Sequence, residues 1–105
     1  MVLAPKNAKI CNTFAWLLAV CPDASVRNGK EAVQFATKAC ELATWGDWRY
    51  LDTIAAAYAE TGDFENAVKY QKMAVNMEGL TTTGDQAGLK QRLGLYEQHK
   101  PYHEF

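Results

Sequence analysis

Apolar residues recur along this chain at helical spacing in five stretches separated by short polar breaks. In the middle, Leu51, Ile54, Ala55 and Tyr58 form one stripe, and Phe64, Ala67, Val68, Ala74 and Val75 form a second beyond Thr61-Gly62-Asp63. This predicts two helices folded back on each other through a three-residue turn, with Ala55, Ala67 and Ala74 allowing close approach where the stripes meet. Upstream, Ile10, Phe14, Leu17, Leu18 and Cys21 predict a helix buried on that side. It ends at Cys21, because Pro22 disfavours a helical conformation in the residue before it. After the polar connection 22–27, Asn28 caps a helix with Glu31 three residues on, and Ala32, Val33, Ala36, Ala39, Cys40 and Ala43 mark its buried side. Residues 44–47 join the two pairs, and Asp47 caps the helix that starts at Trp48. Beyond a polar loop, 78–84, with Thr83 or Asp85 as cap, Leu89, Leu93 and Tyr96 share one face of a last helix, which Pro101 stops. Residues 1–5 read as a frayed leader and 102–105 as an irregular tail. Abundant Ala, Leu, Glu and Lys leave little room for strands, so the fold class is all-α.

The second helix of each pair repeats. Ala32 and Ala67, Ala39 and Ala74, and Leu42 and Met77 are each 35 residues apart. Phe14-Ala15 and Ile54-Ala55 are 40 apart, which places about five extra residues in the first turn, an inexpensive insertion. With Ala55, Tyr58, Gly62-Asp63, Ala67 and Ala74 in place, the stretch 48–77 resembles a tetratricopeptide repeat, whose period is about 34 residues. It departs from that pattern at Gly79, where proline is common, and at Gln71, where an aromatic is usual and Tyr70 stands beside it. The phrases AWLLAVCPD, EAVQFATKACEL and LGLYEQHKPYHEF are similar to a short bacterial variant of the family with a long first turn and a closing helix.

The resemblance implies a right-handed superhelical stack of two helical hairpins, about 6–44 and 47–78, and a capping helix over about 84–98, together one domain. It implies a non-catalytic module holding a peptide or helix of a partner protein in a concave groove. Carried over residue by residue, the groove comprises Lys9, Asn12, Trp16 and Ala19 from the first unit and Arg49, Asp52, Thr53, Ala56 and Glu60 from the second, all off the core stripes. Trp16 is either an anchor for the partner or packed against Leu51 or Thr53. Trp45 and Trp48 read as packing around the inter-unit turn, and Arg49 with Asp52 as a surface ion pair or part of the groove. Asp52 repels a carboxylate, so a clamp for chaperone-tail carboxylates is not expected.

Charge and chemistry narrow the classes. A net charge of -1 with mixed signs and 49% hydrophobic residues disfavours a disordered tail or a nucleic-acid binder. Cys11, Cys21 and Cys40 form no metal-ligand spacing, and their odd number argues against a closed disulfide framework, so reduced thiols in a cytoplasm are expected. The alternative is an export signal in residues 1–24, where Lys6 and Lys9 precede the apolar run 14–21. Against it, Asn12 and Thr13 break the apolar region and Val20 is bulky for a cleavage box. No run is long enough to span a membrane. His99 and His103 have the spacing of metal ligands on a helix, but Pro101 between them denies the helix. No nucleophile, phosphate-loop or dinucleotide motif occurs, so neither enzyme activity nor a cofactor is expected. Two further readings remain: self-association through the first helix's stripe, and a C-terminal piece of a larger protein.

Overall fold

The computed structural model describes residues 7–77 and 83–103. The leader, the loop 78–82 with Gly79, and residues 104–105 lie outside the described residues, as do the side chains of the cap candidates Thr83 and Asp85. The described residues form five helices: α1 (Ala8–Val20), α2 (Gly29–Leu42), α3 (Trp48–Glu60), α4 (Phe64–Asn76) and α5 (Thr83–Glu97). Among the described residues there is no strand. The helices α1 and α2 pair as one hairpin, α3 and α4 as the next; α3 also packs on α1 and α2, and α5 closes against α4.

Side-chain caps start four of the helices. Asn7, Asn28, Asp47 and Asp63 accept from the backbone N–H of Ile10, Glu31, Arg49 and Asn66, each stabilising by about 1 kcal/mol. Three helices end in the same motif, in which the N–H two residues past the cap reaches back to the carbonyl three residues before it. Asp63 donates to Tyr58, Trp45 to Cys40 and Lys100 to Leu95, at 3.0, 2.8 and 2.9 Å. The motif requires a left-handed residue. Gly62 supplies it at φ +86° after α3, whereas Thr44 and His99 adopt φ 52° and 60° with a side chain present. The helix α1 stops differently, with Cys21 extended before Pro22. Arg27 Nη1 then donates to the Cys21 carbonyl across 2.7 Å, satisfying a helix-end acceptor.

The core is an alanine seam. In α3 every residue from Leu51 to Ala57 is buried, and so is Ala59. The faces of α2 (Ala32, Ala36, Ala39 and Cys40) and α4 (Ala67 and Ala74) are buried as their spacing predicts, with Val33, Ala43, Phe64, Val68 and Val75 half-buried beside them. Leu89 and Tyr96 of α5 are buried, and Leu93 is half-buried.

The helix α1 is turned relative to its expected stripe. Cys11, Ala15, Ala19 and Val20 face the core, while Ile10, Phe14 and Leu17 are 46%, 47% and 47% exposed. Small side chains on both facing surfaces bring the helix axes closer than bulky ones allow, so the alanine face wins the contact with α3. Phe14 instead meets Phe35 of α2 on the outer surface, ring centroids 5.8 Å apart.

Gln71, at the aromatic position of the resemblance, is fully buried. Its Nε2 donates to Asp52 Oδ1 and to the Leu89 carbonyl, both at 3.0 Å, tying α4 to α3 and α5. Tyr70 lies outside, stacked between Trp45 and Tyr58 with centroids 5.8 and 5.7 Å away. Trp45 thus packs around the inter-unit turn, as expected.

Candidate functional site

Five of the nine groove residues named from sequence converge on one cleft. Asn12 and Trp16 from α1, Arg49, Asp52 and Thr53 from α3, together with Trp48 and with Arg92 from α5, line a space of about 300 Å³. The remaining four do not line it. Ala19 and Ala56 belong to the core, 0% and 1% exposed, because the rotation of α1 presses its alanine side onto α3. Lys9 is exposed away from the cleft, and Glu60, at the far end of α3, binds other residues of the chain.

The cap of α3 positions the cleft's rim. Asp47 accepts from the backbone N–H of Arg49 at 2.9 Å, and also from its guanidinium, with Nε at 3.0 Å and Nη2 at 2.7 Å. These bonds hold the Asp47 carboxyl below the usual carboxylate range and raise Arg49. Arg49 therefore pairs with its own helix cap and not with Asp52, and its side chain remains 64% exposed to an incoming ligand. Thr53 Oγ1 donates to the Arg49 carbonyl one turn back, at 3.0 Å.

Asp52 forms the floor, and its partner is Arg92. Arg92 Nε donates to Oδ1 at 2.9 Å and Nη2 to Oδ2 at 3.1 Å, a bidentate pair between residues 40 apart in the chain. Asp52 is 7% exposed. Burial pushes its carboxyl above the ordinary value, with Arg92 and Gln71 pulling against that shift. Burial also disfavours the Arg92 charge, but the facing carboxylate outweighs it and leaves Arg92 raised. The two-pronged geometry keeps the pair ionic at neutral pH. The repulsion of anions expected from Asp52 is thus cancelled by its partner.

Two indoles and one unpaired acceptor complete the lining. Trp16 is half-buried, packed against the core cluster that contains Leu51 while also lining the cleft, and Trp48 stands in the cleft and not solely at the inter-unit turn. Asn12 Oδ1 is buried without a hydrogen-bond partner. The cleft therefore offers flat aromatic faces, one acceptor and one exposed guanidinium.

The histidines lie apart from the cleft and from each other's chemistry. His99 stacks on Phe64, centroids 5.3 Å apart, and His103 Nε2 donates to Glu60 Oε1 across 2.6 Å. Among the described residues no group of three metal-binding side chains occurs. The thiols of Cys11 and Cys40 are buried, and burial raises both, Cys40 to about 12. Among the described residues no helix is long and apolar enough to cross a membrane.

Comparison with family models, with curated proteins and with solved structures gave no match.

Arg92 and Trp48 were missed by the sequence reading. Arg92 sits on the polar side of a helix with a weak apolar pattern, and nothing local pairs it with Asp52. Trp48 had a signal, since it directly precedes Arg49 at the start of α3.

Proposed function

We propose that this chain is a non-catalytic interaction module of tetratricopeptide type, which holds a short peptide or helix of a partner protein in the cleft between α1, α3 and α5. The cytoplasm is its expected location, in keeping with three thiols that form no disulfide with one another. The observation that carries the reading is the lining itself: Trp16 and Trp48 beside the orphaned Asn12 acceptor and the exposed Arg49. Indole faces supply contact area at little entropic cost, and a buried acceptor without a partner is satisfied by a peptide N–H. One cleft of this size gives a small interface and modest affinity.

The test is selection of peptides by display against the intact chain, followed by titration of the winners onto an Asn12→Ala/Arg49→Glu variant. Binding weakens about ten-fold or more with the melting temperature unchanged. Winners that bind the variant as well as the parent would place recognition elsewhere.

A second reading rests on a different observation. Ile10, Phe14 and Leu17 form an exposed apolar stripe on α1, extended by Phe35. Two copies of such a stripe, which carries no charge of its own, suit a two-fold contact between chains. Sedimentation across micromolar concentrations tests it: a dimer abolished by Phe14→Ser supports the stripe, and a monomer throughout removes it.

A further inference from the structure

The chain's last described residues turn back onto α1 and the end of α3. Lys100 is fixed to the end of α5 by its bond to Leu95, and beyond it Tyr102 lies on Trp16, ring centroids 5.9 Å apart. Arg92 covers both rings, its guanidinium 5.7 Å from Trp16 and 5.2 Å from Tyr102. His103 reaches Glu60, whose other oxygen accepts from Arg27 Nε at 3.3 Å. Trp16 and Arg92 thus serve twice, as walls of the open cleft and as the seat of Tyr102.

Among the described residues no backbone–backbone hydrogen bond involves Pro101, Tyr102 or His103, and the side chains of Tyr102 and His103 make the contacts to α1 and α3. A segment so held is released without breaking any helix.

We infer that this tail is a resident ligand of the wall the cleft shares with it, Trp16 and Arg92, running on to Glu60 outside the cleft, and that the partner peptide which displaces it carries the same pair, an aromatic residue followed by a basic one. The inference rests on the groove reading above and gives its ligand a chemistry. The aromatic ring packs beside the Trp16 indole under the same Arg92 guanidinium, where ring contact and cation–π attraction act together. The basic residue donates to Glu60, which Arg27 already holds in place. The tether gives the tail an effective concentration in the millimolar range, so a free peptide competes poorly until the tail is disabled.

The probe is a capped synthetic peptide of residues 98–103, QHKPYH, titrated by tryptophan fluorescence onto the full chain and onto its Tyr102→Ala/His103→Ala variant. The variant is expected to bind at least about ten-fold more tightly than the parent, and a peptide with the same two replacements is expected to bind neither. A variant that loses its helical circular dichroism overturns the inference, because the tail is then a structural member. A folded variant that binds no better than the parent also overturns it; if display-selected peptides still respond to Asn12→Ala/Arg49→Glu, the groove reading survives that failure. Selected peptides indifferent to those substitutions remove both.

Discussion

The helices α1 and α3 hold equivalent places in their hairpins and have the same length, 13 residues, yet they are buried in opposite styles. Neighbours surround α3, and it buries even a carboxylate, which Arg92 and Gln71 neutralise and hold. In contrast, α1 buries one alanine face and turns Ile10, Phe14 and Leu17 outward. A helix packed against three others keeps little free face, whereas one packed against two keeps an outer surface. Stability therefore concentrates around α3, and surface for association concentrates on α1. The cleft lies where the two styles meet.

The sharpest way to break that contrast is to unpair the buried charge. Arg92→Met leaves Asp52 without its partner and is expected to cost about 3–5 kcal/mol in urea unfolding. A loss under 1 kcal/mol would show that Asp52 is not held as an ion pair. Next come opposite-face substitutions. Ala56→Leu on α3 overpacks the seam by about 1–3 kcal/mol, while Leu17→Gln on the outer side of α1 changes stability by about 0.5 kcal/mol or less. Equal effects would erase the distinction between the helices.

Alkaline titration probes the same core. The Cys40 thiol is pushed up to about 12, and burial also raises the Tyr96 hydroxyl. Both stay neutral when folded after ionising in the unfolded chain. Their stabilising contribution is complete below about pH 8.5, the ordinary thiol value, and is lost as pH rises toward the folded values. The slope expected from Cys40, read from denaturant midpoints, is about 0.7 kcal/mol per pH unit at pH 8.5 and nears about 1.4 by pH 10, and Cys40→Ala should flatten it. The turns give small effects of opposite sign: Gly62→Ala is expected to cost about 1 kcal/mol, whereas Thr44→Gly should gain about as much by relieving a β-branched residue at positive φ. Thermal melts of the pair would show opposite shifts.

The hairpins were legible in sequence because their punctuation is local. Asn28, Asp47 and Gly62 act within three or four residues of themselves and cap or turn as their positions predict, although the Asn28 N–H goes to the Leu18 carbonyl across the hairpin, so Glu31 does not complete the reciprocal half of the capping box. Part of the cleft was legible for a related reason, since Asn12 and Trp16, or Arg49, Asp52 and Thr53, share a face of one helix. The side of α1 that faces the core was not. Periodicity weights large apolar residues, so Ile10, Phe14 and Leu17 outweighed the smaller Ala15 and Ala19 that decide how closely helices pack. The Asp52–Arg92 pair and the return of Tyr102 and His103 join residues at least 40 apart, or a tail with no period of its own, and leave no local mark.

The measurement that bears most directly on the groove is nuclear magnetic resonance mapping of a display-selected peptide on the isotope-labelled chain. Shifts at the indole N–H groups of Trp16 and Trp48, the Asn12 side-chain amide and the amides of 49–53 are the predicted result. Shifts confined to the outer face of α1 around Ile10, Phe14 and Leu17, with those indoles unmoved, would contradict it.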